Sequence, residues 1–298
     1  VRPPAELPPG RPTLASTYRP SGRAAAGDTF VHLFEWRWAD IATECGAVLG
    51  PAGYKAVQVS PPQEHLMSPG REWWQRYQPA SYTLERSRSG SGAEFRDMVA
   101  RCRAAGVDIY VDAVINHMTA TDGVGSNGTR FTKYSYPGLW ERADFHPSCG
   151  VNNYNDAANV QDCELLGLAD LATARPNVRR RLADYLIELH RQGVAGFRVD
   201  AAKHIQPVDL DAIMNLVNAA ATAEGRALPY WFLEVIDYGN EAVRVTDYLG
   251  AGHASGGASD ITEFKYRGLQ DKFLGTGGQR LSDFRTFSVA NWQILPSD

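Results

Sequence analysis

The sequence predicts an α/β fold on a parallel sheet: a (β/α)8 TIM barrel, incomplete at about six of eight strands, with a subdomain inserted after the third strand. Short apolar runs alternate along the chain with stretches of helical period, which implies parallel strands joined by right-handed crossovers. That alternation builds either a doubly wound sheet or a barrel, and polar residues at the C-terminal ends of several strands favour the barrel. With 298 residues, 44% of them apolar, the chain can bury the core of one large domain or of a domain plus an insertion.

Residues 1–27 hold six of the 17 prolines and show no period, so a flexible tail is expected there. The barrel is expected to occupy 28–117 and 170–298. Thr29 to Phe34 reads as the first strand, followed by a helix from Ala39 to Leu49 that Gly50-Pro51 should stop. Ala56 to Val59 is the second strand. Ser60-Pro61-Pro62 then opens a long loop carrying Trp73, Trp74, Tyr77 and Gln78, and loops of this length in compact domains are usually functional.

Ser91 and Glu94 have the spacing of a capping box, after which Phe95, Met98, Val99 and Cys102 recur at helical spacing up to Gly106. The third strand, Val107 to Ile115, leads into Asn116-His117. Residues 118–169 lack periodicity and are rich in Asn, Asp, Gly and Tyr, as an inserted subdomain would be. Val178, Leu182, Tyr185, Leu186 and Leu189 give a strong helix ended by Gly193, and Leu210, Ile213, Met214 and Val217 give another. A shorter helix from Glu241 to Tyr248 and a strand from Asp260 to Phe264 complete the alternation.

Two of these strands carry charge inward. In Gly193-Val-Ala-Gly-Phe-Arg-Val-Asp200, Arg198 and Asp200 share one face and Phe197 and Val199 the other. A charge buried in a barrel costs several kcal/mol unless paired, so the arrangement reads as chemistry, with a structural ion pair as the plainer reading. Glu234 lies in a second apolar run, Tyr230 to Ile236. Between Leu233 and Val235 its neutral acid should be favoured, whereas Asp200 beside Arg198 should stay ionised, the division of labour a glycosidase needs. If the two strands are neighbours, their spacing of about 5 Å matches the ~5 to 5.5 Å carboxyl separation of a retaining mechanism.

A net charge of -4 from 30 basic and 34 acidic residues gives no reason to expect nucleic acid or an anionic membrane as partner, and no apolar run reaches the roughly 20 residues of a membrane span. Cys45, Cys102, Cys149 and Cys163 contain no C-x-x-C pair, which disfavours zinc. In an exported enzyme they would make two disulfides, with three connectivities open; buried free thiols are the alternative. No signal peptide is legible, so any such segment lies outside this numbering.

At Asp112-Ala-Val-Ile-Asn-His117, Gly196-Phe-Arg-Val-Asp200 with Lys203-His204, and Glu234-Val-Ile-Asp237, the sequence resembles the α-amylase family of retaining glycoside hydrolases. Val57 to Pro62, Trp73 to Pro79 and Thr262 to Tyr266 resemble more narrowly its animal and actinobacterial branch. The resemblance implies Asp200 as nucleophile and Glu234 as general acid and then base. It further implies Arg198 as the group that orients Asp200, His117 and His204 as hydrogen-bond partners of the sugar, and Lys203 on the leaving-group side. Trp73, Trp74, Tyr77, Gln78 and Tyr154 would line the substrate path. Without these motifs a lone His would read as structural, a Trp pair as core and a lysine as solvated surface. Asp112 is expected to support Arg198 and not to meet substrate.

The same resemblance implies a calcium ion between barrel and insertion, held by the Asn116 and Asp170 side chains and the backbone carbonyls of Gln161 and His204, all oxygen donors as a hard cation requires. It pairs Cys45 with Cys102 and Cys149 with Cys163. Chloride stays open, since Arg198 alone does not establish a chloride site. In the family a third catalytic carboxylate follows the stretch resembling Asn291 to Asp298. The chain is therefore expected to be a truncated form with little or no activity of its own. The leading reading is endo-hydrolysis of α-1,4-glucans, starch or glycogen, by a secreted monomer. The alternatives are a non-catalytic polysaccharide-binding protein, which the joint presence of Arg198, Asp200 and Glu234 argues against, and α-1,6 cleavage or glucosyl transfer, which the Trp73 to Pro79 loop and the calcium set disfavour.

Overall fold

The computed structural model describes residues 29–248, 259–264, 267–285 and 293–294. The tail expected at 1–27 lies outside them. Strands β1 (Phe30–Leu33), β2 (Ala56–Val59), β3 (Asp108–Ala113), β4 (Gly196–Val199), β5 (Tyr230–Leu233), β6 (Ser259–Thr262) and β7 (Gln293–Ile294) form one sheet in chain order. Every neighbouring pair is parallel. All six predicted strands are present, and the two-residue β7 adds a pairing to β6.

The sheet is curled. Phe30 on β1 and Phe232 on β5 have ring centroids 5.4 Å apart although three strands separate them in the sheet, which a flat sheet forbids. The inward positions Phe30, Ala56, Tyr110, Tyr230 and Phe232 form their own apolar cluster. The outward positions Val57, Val59, Ile109, Val111, Phe197, Val199, Trp231 and Leu233 join the main core under the helices. This two-sided burial explains why the strands read as continuous apolar runs. Among the described residues the β1 edge has no partner strand on its outer side.

Helix α1 (Trp38–Glu44) runs on through a π turn at Cys45–Leu49 and a last turn at Gly50–Ala52, and ends at Gly53 with φ 80°. Gly50-Pro51 therefore does not stop it where expected. Pro51 falls at the start of the new turn, where a missing N–H is tolerated. Helix α2 (Gly92–Ala104) begins in the predicted capping box: Glu94 N–H donates to Ser91 Oγ at 3.3 Å and Ser91 N–H to the Glu94 carboxylate at 2.7 Å. Helices α3 (Pro176–Arg191) and α4 (Pro207–Ala223) pack against each other, and α5 (Arg267–Leu274) follows β6.

The helix expected at Glu241 to Tyr248 is absent; only a 3-10 turn forms, at Val245–Asp247. The Asp237 carboxylate accepts the N–H groups of Gly239 and Val245 and the Arg244 Nε–H, so a side chain and not a helical ladder satisfies this backbone. Residues 118–169 hold a small hairpin, Gly123–Val124 with Arg130–Phe131, and a short helix, Ala157–Asp162. Both disulfides form in the implied pairing, Cys45–Cys102 and Cys149–Cys163.

Gly196 sits at a tight point inside the barrel. A Cβ there would lie 2.8 Å from both Tyr110 Cδ1 and the Tyr230 carbonyl oxygen. Gly196→Ala should destabilise the fold by about 1–3 kcal/mol, as overpacking does. Gly46→Ala, with nothing within 4 Å of the added carbon, should leave stability unchanged or raise it. Urea unfolding of the two variants checks the contrast.

Candidate active site

Parallel register carries the charged residues to one end of the sheet. Asp112 pairs with Arg198 and Arg198 with Phe232, so Asp200 and Glu234 follow as neighbours just past the ends of β4 and β5. The Arg198 guanidinium joins the set: Nη1 donates to Asp112 Oδ1 at 2.6 Å and to Asp200 Oδ1 at 3.0 Å, and Nη2 to Glu234 Oε1 at 2.5 Å. The Ala201 N–H donates to the second Glu234 oxygen at 2.8 Å. Ala201 itself is held at φ 50°, an uncommon region for a residue with a Cβ, and it is this bend that turns its N–H toward the carboxylate.

Asp112 is fully buried and accepts a further bond from Tyr77 OH at 2.8 Å, the supporting role expected of it. Burial works against charge on Arg198, but Asp112, Glu234 and Asp200 outweigh it and hold the guanidinium well above its ordinary range. Burial pushes the Asp200 carboxyl well up, the Glu234 charge pushes it further, and Arg198 pulls it back. The expected division of environments is thus not what the fold provides. Leu233 and Val235 face the outer core, while Glu234 turns the other way onto a guanidinium and a main-chain N–H. The two carboxyls are a coupled pair on one cation, with neither set apart in apolar surroundings.

A cleft of about 670 Å³ lies over this pair, lined among others by Trp73, Trp74, Tyr77, Gln78, His117, Arg198, Asp200 and Glu234. A smaller hollow of about 280 Å³ shares Leu165, Ala201 and Glu234 with it and adds Tyr154, Lys203, His204 and Glu241. Glu234 thus stands where the two meet. Trp73 is 57% exposed, Trp74 41% and Tyr154 40%, so flat apolar faces are presented to solvent along the path. All the substrate residues predicted from sequence line one hollow or the other.

Several of them also have partners within the protein. His117 faces the Tyr77 carbonyl with Nε2 at 2.9 Å and the Asn116 amide with Nδ1 at 3.3 Å, and burial lowers its pKa to about 4. His204 Nδ1 bonds the Val160 carbonyl at 2.8 Å. Lys203 is buried, donates to the Ile236 carbonyl at 2.6 Å, pairs with Glu241, and lies 5.0 Å from the centre of the Tyr154 ring. Gln78 accepts the Ala120 N–H at 3.0 Å, which ties the aromatic loop to the insertion. Sequence reasoning missed His32, Phe34, Leu165, Leu166 and Glu241. Leu166 is 88% exposed at φ 53°, and the Gly167 beside it was the one legible sign of a sharp turn.

The residues expected to hold calcium lie on neighbouring segments. An antiparallel bridge between His117 and Asp170, with Leu171 N–H donating to the Asn116 carbonyl, sets Asn116 beside Asp170. His146 contacts Asp170 Oδ2 at 2.6 Å and lies 3.8 Å from Asp162, and the His204 to Val160 bond brings the neighbours of Gln161 and His204 together. Asp170 Oδ1 is buried with no hydrogen-bond partner, and burial pushes this carboxyl up to about 7. An orphaned buried carboxylate oxygen beside an Asn is a place where a hard cation fits. Among the described residues no three His, Cys, Asp or Glu gather as a metal set; the predicted set has one carboxylate, one amide and two carbonyls.

A curled parallel sheet with paired carboxyls and an aromatic-walled cleft past its C-terminal end is the architecture of a partial TIM barrel. Residues 52–231 match the family model described as alpha amylase, catalytic domain, and the chain belongs to that family. It is 50% identical over 262 residues to an alpha-amylase of Thermomonospora curvata, covering 85% of this chain and 42% of that protein. It is 43% identical over 300 residues to pancreatic alpha-amylase of Sus scrofa, covering 93% and 55%. Its fold matches alpha-amylase I from Eisenia fetida, solved as a mutant with maltohexaose, with a TM-score of 0.80 and 40% identity over 92% of this chain and 56% of that one. The chain spans about half the length of the curated relatives it matches.

His65, in the loop after β2, bears on how this end of the barrel is held. Its Nε2 accepts the Arg88 N–H at 3.2 Å, which only the neutral ring can do, and its Nδ1–H donates to the Leu66 carbonyl at 2.9 Å, which fixes the tautomer. Burial, then the Arg76 charge, lowers its pKa to about 3. The folded pKa lies below the unfolded 6.5, so this stability is present above pH 6.5 and lost as pH falls toward about 3, by up to ~5 kcal/mol. His65→Asn should flatten that limb of a plot of unfolding free energy against pH; a slope equal to that of the unaltered protein would contradict the assignment.

Proposed function

We propose that this domain carries the site for endo-hydrolysis of α-1,4-glucosidic bonds in starch, glycogen or maltooligosaccharides, with retention of configuration. What carries the reading is the arrangement of Asp200 and Glu234 on one guanidinium at the floor of an open, aromatic-lined cleft. Two like charges on adjacent strands resist ionising together, and burial with the Glu234 charge raises the Asp200 carboxyl. A retaining reaction needs one carboxylate to attack and one acid to protonate the departing oxygen.

In the first step Asp200 attacks the anomeric carbon, the glycosidic C–O bond breaks, and Glu234 gives its proton to the leaving oxygen. In the second, Glu234 takes a proton from water, whose oxygen attacks the same carbon and releases Asp200. Arg198 disperses the negative charge of whichever carboxylate is ionised, and Asp112 and Tyr77 hold the guanidinium in place. Trp73, Trp74, Tyr77 and Tyr154 offer faces for glucose rings, and Gln78, His117, Lys203 and His204 supply polar contacts along the path. The maltohexaose bound to the Eisenia fetida relative supports this class of ligand.

A calcium ion held by Asn116, Asp170 and the carbonyls of Gln161 and His204 would cross-link residues 118–169, read as a calcium-binding subdomain, to the barrel; its contribution is structural. The two disulfides support an oxidising, extracellular setting. The protein is read as a monomer with neither nucleic acid nor membrane as partner; among the described residues no helix is long and apolar enough to cross a membrane.

In the protein at the full length of its relatives, Asp200→Asn and Glu234→Gln should each lower kcat on soluble starch at least about a hundredfold while maltohexaose is still bound. Unchanged turnover in either variant would overturn the assignment. Chelation should lower the melting temperature, the lost stability being about 2.7 kcal/mol when free calcium had been 100-fold above its Kd. Asp170→Asn should abolish most of that calcium dependence in a thermal scan.

A further inference from the structure

The aromatic wall of the cleft is held from behind by a side chain with no part in the chemistry. Trp73 to Tyr77 form a single 3-10 turn, and its Arg76 is fully buried. Arg76 Nη1 donates to Glu35 Oε1 at 3.1 Å and to Ser89 Oγ at 2.8 Å, and Nη2 to the Pro61 carbonyl at 2.6 Å. The other Glu35 oxygen accepts Arg88 Nη2 at 2.7 Å. Arg88 in turn grips the backbone just before and within the turn, donating to the carbonyls of Arg71 at 2.6 Å, Glu72 at 3.0 Å and Trp73 at 3.4 Å.

Glu35 is placed for this at some cost. It sits at φ 63°, a left-handed conformation that costs a non-glycine residue of order 1 kcal/mol or more. Its N–H donates to Ser60 Oγ at 2.8 Å. The bend follows β1, whose neighbouring residues His32 and Phe34 line the cleft, and Phe34 meets the Trp73 ring edge at 5.8 Å. Two arginines side by side would repel without the carboxylate between them. On its other side the turn is tied to the catalytic cluster by Tyr77 OH on Asp112.

We infer that Glu35, by clamping Arg76 and Arg88, is a positioning residue that sets the Trp73–Trp74 platform for binding the glucan chain. The inference rests on the glucan reading of this cleft and adds a determinant that touches no substrate. Loss of the clamp lets the turn move while Asp200 and Glu234 keep their own partners.

The test compares Glu35→Gln, Arg88→Gln and Trp73→Ala, alone and combined, with near-UV circular dichroism to establish folding. Arg88→Gln releases the three carbonyls but keeps the buried Arg76–Glu35 pair, so it serves if Glu35→Gln fails to fold. Maltohexaose binding by calorimetry should weaken about tenfold, or 1.4 kcal/mol, in either clamp variant. In a Trp73→Ala background the clamp substitutions should add little, because they act through the platform. Amide exchange over residues 71–78 should accelerate in the clamp variants without sugar. Binding equal to the unaltered protein, or a clamp effect undiminished by Trp73→Ala, would overturn the inference. If the unaltered protein does not bind maltohexaose, the glucan reading fails, and unchanged exchange over 71–78 would separately overturn the clamp.

Discussion

One largely enclosed guanidinium organises the cleft end of this domain. Arg198 meets three carboxyls, Asp112, Asp200 and Glu234, within hydrogen-bond distance. A lone charge in a barrel interior would be untenable, and removing one partner from such a cluster usually costs about 3–5 kcal/mol. Three acids on one base still leave an excess of negative charge. That excess, the Glu234 charge first among it, adds to burial in raising the Asp200 carboxyl, and Arg198 pulls it back.

Around this cluster the chain separates support from contact. Below it, Tyr110, Tyr230 and Phe232 fill the barrel, and Gly196 leaves them room. Beside it, Tyr77 links the guanidinium's partner Asp112 to the aromatic turn, and Arg76 anchors that turn to Glu35 in the opposite direction. The exposed rings of Trp73 and Trp74 are therefore carried on a turn tied down on both sides. An aromatic platform binds more tightly when its geometry is fixed beforehand, because less freedom is lost on association.

The insertion is joined to the barrel by apolar packing, in which Phe131, Trp140, Phe145 and Val160 share the main core, and by polar contacts. Glu64, buried after β2, accepts the N–H groups of Asn127 and Thr129 and the hydroxyls of Ser81 and Thr129. Gln78 holds Ala120, and Asp170 and Asn116 lie side by side at the seam. These contacts are made from loops and very short elements, so they leave no hydrophobic period, which is why residues 118–169 looked structureless in sequence. Where the seam is polar, Asp170 Oδ1 is left buried without a hydrogen-bond partner.

Sequence alone determined the strands and crossover helices, because alternation and helical spacing record which side of each element is buried, and the capping box at Ser91 and Glu94 is a local hydrogen-bond pattern. It also determined that Arg198, Asp200 and Glu234 belong together, since charges inside apolar runs are costly enough to imply partners. Only the tertiary structure decided how charge is divided among them: Glu234 faces a guanidinium and a main-chain N–H contributed by a neighbouring strand's turn, which no reading of Leu233 and Val235 could supply. The same holds for the 241–248 segment, where the Asp237 side chain displaced a helix, and for Glu35, whose two arginines lie 41 and 53 residues away in sequence. Local patterns report burial, but partners brought together by sheet curvature and loop closure are set by three-dimensional proximity, and proximity leaves no period in the chain.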